Sequence, residues 1–258
     1  MTAEWNFNGS DLTSGAKYRA SLLSGADDLP PVRGQDIIVP FRHGQTWVKK
    51  YFDSRVVTLS LYITGTSLTD KKTNIDKLMG ILGYRQHGLL IRTLPDASTL
   101  QVYAEVLKPM TIVHEGLYLA RGAIEFQLSD PFFRSSSLTT DVHTINSATT
   151  TYTTTNPGTA QVQTAVITLT APLSSPTITN TTNGISVQYN AALATGSVVI
   201  DCSAMTAILN GSTNVIGSII HTGDPCFMVL EAGANAMSVT DGTHTTGTVQ
   251  FTFYAPYF

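Results

Sequence analysis

All fifteen lysines and arginines of this 258-residue chain lie at or before Arg134, and the rest of the chain has none. The second stretch carries only Asp141, Asp201, Asp224, Glu231 and Asp241 as formally charged residues. With thirteen of the eighteen acidic residues before it, the first stretch sums to 15 − 13 = +2 and the second to −5. Surfaces so differently charged indicate two folding units, 1–134 and 135–258. A nearly charge-free surface must be hydrated by hydroxyls and amides, and Thr, Ser and Asn are abundant after Arg134. Charged residues make up 13% of the chain, about half the usual ~25%. That excludes an acidic disordered tail, a basic nucleic-acid module and a coiled-coil rod.

The second stretch reads as all-β. Ala165–Leu169 is short and β-branched, Ile185–Tyr189 alternates apolar and polar, and Val198–Ile200, Phe227–Leu230 and Thr248–Tyr254 are similar. Asn183-Gly184, Asn210-Gly211 and Asp241-Gly242 separate them, and such pairs tolerate the positive φ of tight turns. Strands at roughly 8–12-residue spacing with turns between them indicate a sandwich or barrel. Ser135–Ser137, the threonine tract Thr149–Thr155 and Asn156-Pro157-Gly158 mark the join. The tract is either linker or, since Thr favours strands, part of an edge strand over 139–152.

The first stretch reads as a sheet-rich α+β domain with one helix. Trp5–Phe7, Val57–Ile63, Leu89–Arg92, Leu100–Val106 and Gly116–Leu128 suit strands. Asp36–Phe41 and Thr46–Tyr51 flank a polar hairpin tip, Arg42–Gln45. Ile75, Leu78, Met79 and Leu82 recur at helical spacing, with Thr69 or Asp70 as the cap, Gly83 as the stop, and Lys71, Lys72, Asp76 and Lys77 mostly on the opposite face.

Catalytic signatures are absent. The six histidines are scattered, and none stands at metal-ligand spacing from another His or from Cys202 or Cys226. There is no nucleophile elbow, P-loop or dinucleotide-binding glycine pattern. Asp27-Asp28 lacks the rest of a calcium loop and reads as a solvated turn. Glu105, Glu115 and Glu125 are the candidates for a paired-carboxylate hydrolase, though strand residues ten apart need not converge. Two cysteines are too few for a disulfide scaffold; whether Cys202 and Cys226 pair stays open. The apolar runs fall far below the ~18 residues of a membrane span, and Met1 is followed by Glu4 and Asn6 rather than an apolar leader. Synthesis in a cytoplasm and no membrane insertion are the expectations. Trp47 is either core or an anchor for a neighbouring subunit, since interfaces favour Trp and Tyr.

Asn156–Ala160, Ala165–Leu169, Pro176–Asn180 with Thr182 and Gly184, Gly196–Asp201 and the closing Val249–Tyr254 together resemble the second domain of siphophage distal tail (Dit-like) proteins. Leu230, Gly233 and Asn235 fit that family's Leu before Pro-Gly-x-Asn, with Ala232 in place of the Pro. Gly34–Pro40, Val57–Ile63, the helix after it and Phe126-x-x-x-Asp130-Pro131-Phe132-Phe133 extend the resemblance into the first stretch. It implies a mainly β chain with an N-terminal ring-forming domain and a C-terminal galectin-like β-sandwich. It further implies a homo-hexameric ring in the virion, at the tip of the phage tail. That ring joins the tail tube protein to a trimeric tail-tip hub protein, with receptor-binding or other baseplate proteins as further partners. No catalytic residue, metal, cofactor or specific nucleic-acid binding follows from it. The candidate contact surface is the hairpin carrying Ile37, Val39, Phe41, Trp47 and Tyr51. The alternative is a carbohydrate-binding tail adhesin using the sandwich, with Tyr152, Tyr189 or Tyr257 stacking on a sugar.

Overall fold

The computed structural model describes residues 4–13, 17–83, 87–108, 110–223, 227–242 and 246–258. Cys226 and His244 lie outside them. The chain divides into two compact units, Met1–Arg134 with Phe258, and Ser135–Tyr257.

In the first unit the strands are β1 (Glu4–Phe7), β2 (Tyr18–Ser24), β3 (Arg55–Thr64), β4 (Gly88–Thr93), β5 (Thr99–Val106), β6 (Thr111–His114) and β7 (Leu119–Leu128), with helix α1 (Leu68–Leu82) between β3 and β4. All pair antiparallel, in the order β1–β4–β5–β7–β3–β2. β6 pairs with the first half of β7. Ten residues of β7 run in unbroken register with β3, from Leu119 opposite Thr64 to Leu128 opposite Arg55. The period-2 pattern of β3 does what alternation dictates: Val57, Leu59, Leu61 and Ile63 are fully buried.

Arg55 lies on the same face and, although charged, is buried too. Its guanidinium donates to the carbonyls of Gly25, Ala26 (2.7 Å) and Pro131 (2.8 Å) and lies over the Phe133 ring. Gly25 sits at φ +94°, where a Cβ would meet the Val56 carbonyl oxygen at 2.0 Å. Only glycine allows the chain to come so close at that φ.

Helix α1 differs from expectation at both its cap and its face. Ser67, not Thr69 or Asp70, is the N-cap, accepting from the Asp70 N–H at 3.1 Å, while the Asp70 carboxylate reaches back to the Thr66 N–H at 2.8 Å. The buried stripe is Lys71, Asn74, Leu78 and Leu82, whereas Met79 is exposed. Lys71 was expected on the solvent side. It is only 7% exposed, because its ammonium donates to the Gly116 carbonyl at 2.8 Å and so keeps a partner after losing water.

The second unit is a two-sheet sandwich. Its strands are β8 (Phe133–Thr144, from Ser135 onward), β9 (Thr149–Asn156), β10 (Val166–Thr170), β11 (Thr177–Asn180), β12 (Ile185–Tyr189), β13 (Ser197–Asp201), β14 (Thr206–Leu209), β15 (Ile219–Thr222), β16 (Gly233–Thr240) and β17 (Thr248–Tyr257). One sheet runs β8–β17–β10–β13–β14 and the other β9–β16–β11–β12–β15. Ile167, Leu169, Val198, Ile200, Phe251 and Phe253 of the first sheet share one core with Ile178, Val187, Met237 and Val239 of the second. The threonine tract is a strand, and the expected single strand over 139–152 is two, with Ile145–Ala148 between them. Asn210-Gly211 turns the chain at positive φ as its sequence requires. Asp241 does not form a hairpin tip; it is buried, and its carboxylate accepts from the Ser174 N–H at 2.6 Å.

Phe227–Leu230 is not a strand. All four residues are buried, and asparagine side chains take the place of a sheet partner. The Val229 carbonyl accepts from Asn180 and Asn183, and Leu230 makes a single bridge to Val162. Asn180, Asn156 and Asn235 are fully buried. Asn235 accepts from the Glu231 N–H at 2.8 Å and donates to the Glu231 carbonyl at 2.9 Å. That closes the Ala232-Gly233 turn without the proline.

Candidate functional site, an exposed apolar arm

The segment between β2 and β3 leaves the first unit as an arm. Its base is a two-residue ladder, Val32 opposite Phe52 and Arg33 opposite Tyr51. Phe52 anchors that base edge-on against Phe132 at 5.6 Å and Phe258 at 5.4 Å. Further out, Ile37 and Thr46 exchange both backbone hydrogen bonds, at 3.0 and 2.9 Å. The tip closes with the Arg42 N–H on the Val39 carbonyl and Phe41 at φ +62°.

The expected pair of strands is therefore a looser device, bridged at one point between base and tip. Its stiffness comes from a side chain. Asp36 accepts from the Val48 N–H at 3.2 Å and from the Lys50 ammonium at 3.1 Å. The Lys50 bond, then the Val48 bond, holds the Asp36 carboxyl below the usual carboxylate range. The Lys49 ammonium lies 5.5 Å from the centre of the Tyr51 ring.

Ile37, Ile38, Val39, Phe41, Trp47 and Tyr51 are all exposed. Trp47, at 73%, is not core, whereas Trp5, at 1%, is. Ile38 joins them although alternation sets it on the face opposite Ile37 and Val39, because here neither face is covered. Such a cluster of large apolar side chains left in water is uncommon on a folded chain, and it gathers the residues expected as a contact surface. A bulky residue at positive φ is itself uncommon and tends to occur where function requires it.

Among the described residues no group of three or more His, Cys, Asp or Glu is placed to hold a metal. Glu115 pairs with Arg121 at 2.9 Å and Glu125 with Lys108 at 2.8 Å. Register places Glu105 opposite Gln127, on the strand face that Glu125 shares, but leaves Glu115 at the other end of β7. Asp27 pairs with Arg92 at 2.7 Å and Asp28 accepts from the Gly25 N–H, so that acidic pair is a turn. Two of the three tyrosines considered for sugar stacking are occupied. Tyr189 is core, and Tyr152 lies under the His143 ring at 3.8 Å with its hydroxyl buried. Burial, then the nearby Asp141 charge, pushes that hydroxyl's pKa upward.

Residues 157–254 match the family model for the siphovirus-type tail component, C-terminal domain. The fold is similar over 98% of this chain and 99% of the other to the Dit protein of phage SPP1, described as a paradigm of the hub adsorption apparatus in phages infecting Gram-positive bacteria, with a TM-score of 0.67 at 13% identity. A chain of the phage p2 baseplate in its activated conformation with strontium aligns over 98% of both chains, with a TM-score of 0.43 at 8% identity. No curated protein sequence matches.

Proposed function

We propose that this Dit-like chain, whose second domain belongs to the siphovirus-type tail components, builds a hexameric ring at the far end of a phage tail. In this reading the first unit forms the ring, and the ring joins the tail tube to the tail-tip hub. The ring also serves as an attachment platform for other baseplate proteins. The chain is made in the host cytoplasm and ends up in the virion.

The observation that carries this is the exposed arm. Burying one large apolar side chain fully is worth about 1.5–3 kcal/mol. An arm presenting Ile37, Ile38, Val39, Phe41 and Trp47 to water is therefore costly unless a neighbour covers it. A contact used once per copy around a closed ring also holds an assembly whose pairwise affinity is modest. The test is the mass of the assembly and the copy number per purified tail. Six copies is the expected result, and three would defeat the reading.

A further inference from the structure

Strand β9 is the edge of its sheet: β16 pairs with one side of it, and no described strand lies along the other. The ladder to β16 shows which main-chain groups are left over. The Asp241 N–H donates to the Ala148 carbonyl at 3.2 Å, and from that pair the register runs unbroken from Thr149 opposite Thr240 to Asn156 opposite Gly233. Antiparallel strands exchange hydrogen bonds at every second pair. Thr150, Tyr152, Thr154 and Asn156 therefore bond to β16, and the threonines between them turn their N–H and C=O groups outward. Ala236, opposite Thr153, agrees. It accepts from the Thr181 N–H and donates its own N–H to the Thr182 hydroxyl, both away from β9. The Ser147 hydroxyl closes the Thr149 carbonyl at 2.7 Å. Thr151, Thr153 and Thr155 remain, exposed, each with a main-chain donor and acceptor.

An open edge of this length is a template for another strand, and folded chains usually block it with a bulge, a charge, a proline or a short strand. Two other edges here are blocked in that way. β2 carries a bulge between Leu22 and Ser24, and β15, at the far edge of the same sheet as β9, has only four residues. β9 has eight, with no bulge, proline or charge among them, and its unit has no lysine or arginine to shield it.

We propose that the outer edge of β9 takes up one extended strand of a different tail protein, held by main-chain pairing to Thr151, Thr153 and Thr155. A second copy does not fit. β9 has one open edge, that edge meeting its own copy makes a two-fold contact, and a ring that turns one way has no two-fold between neighbours. The formal charges of the second unit are all acidic, which disfavours an acidic segment, and a row of threonines suits β-branched neighbours. The occupant is thus a β-branched strand without acidic side chains that spans Thr151 to Thr155. This rests on the platform reading above and names how a partner is held.

Amide exchange read residue by residue, in the isolated full chain and in purified tails, is the first test. In the isolated chain the Thr151, Thr153 and Thr155 amides should exchange about 100-fold faster than those of Tyr152 and Thr154. In tails the two sets should be equally slow. Slow exchange at all five in the isolated chain would overturn the inference, and so would fast exchange at the three in tails. Thr153→Pro removes only an outward N–H, which an edge strand tolerates, and a thermal melt checks that it folds. A benzophenone amino acid at position 151, and separately at 155, should crosslink to one segment of a different polypeptide, at sites about four residues apart. Thr153→Pro should abolish both crosslinks, and Thr153→Val, which keeps the N–H, should preserve them. Crosslinks to another copy of this chain, or crosslinks lost in both variants or in neither, would refute main-chain pairing. Should the proline variant not fold, exchange and the wild-type crosslinks still decide. Six copies per tail without protection at the edge defeats this inference alone; tails that lack the chain defeat the platform reading with it.

Discussion

The guanidinium of Arg55 donates to the carbonyl oxygen of Pro131, 76 residues further along the chain, at 2.8 Å. The same group also satisfies Gly25 and Ala26, so one side chain ties the segment before the arm to the end of the first unit. Burial lowers the pKa of Arg55, but the group stays charged throughout the physiological range. Arg55→Met leaves three carbonyls without their donor and should destabilise the first unit by about 3 kcal/mol. Arg55→Lys should recover only part of that loss, since an ammonium cannot reproduce the planar fork. Chemical denaturation of the wild type and both variants checks this, and equal midpoints for all three would contradict it.

Gly25→Ala places a methyl group against the Val56 carbonyl at a φ of +94°. The expected cost is about 2 kcal/mol or more. Gly184→Ala, also at positive φ but with open space around it, should cost only about 1 kcal/mol. Comparing the two melting curves separates the clash from the conformational preference.

Asn235→Ala removes the acceptor for the Glu231 N–H and for Asn180, together with donors to Glu231 and Gly233. The second unit should lose about 2–3 kcal/mol, because each buried group left without a partner costs about 1–3 kcal/mol. Asn183→Ala, at the half-buried side of the same network, should cost less. A denaturation series in which Asn183 mattered more than Asn235 would show the network to be misassigned.

Acid should loosen the arm. The folded-state pKa of Asp36 is depressed below 3.8, so its contribution to arm order is present above that unfolded value. It fades as pH falls through the lower, folded one. Asp36→Asn should give the acid behaviour at neutral pH. Trypsin reads this directly: cleavage at exposed Arg42 should be faster in Asp36→Asn than in wild type at pH 7. Equal rates would remove the carboxylate from the account.

Trp47 and Trp5 provide an optical test of assembly. Trp47 is exposed and Trp5 is buried, so acrylamide should quench the fluorescence of the monomeric chain strongly and that of Trp47→Phe weakly. Assembly should shield Trp47. Quenching that is unchanged between monomer and assembly would put the arm outside the contact.

Much of the fold was legible in the sequence where one face of a strand meets core. Val57–Ile63, Ile185–Tyr189 and Thr248–Tyr254 announce themselves because alternation records which side is buried. The Asn210-Gly211 turn is legible for a similar reason, since few residues accept its φ. Phe227–Leu230 misled because a continuous apolar run says only that a segment is buried, not that its hydrogen bonds go to a neighbouring strand. They go to Asn180 and Asn183, more than forty residues away, a distance no local pattern encodes. Lys71 misled for the opposite reason. A lysine on a helix normally faces water, and only the tertiary position of Gly116 gives its ammonium a place inside. The arm residues were picked out as a hairpin; their exposure on both faces emerges only once no second layer is found over them.

The root of the arm is pinned where Phe52 meets Phe132 and Phe258, while its outer part is held by one backbone bridge and one carboxylate. Such a lever is firm at its hinge and compliant toward its tip, so its outer end can settle onto a surface whose shape it does not match in advance.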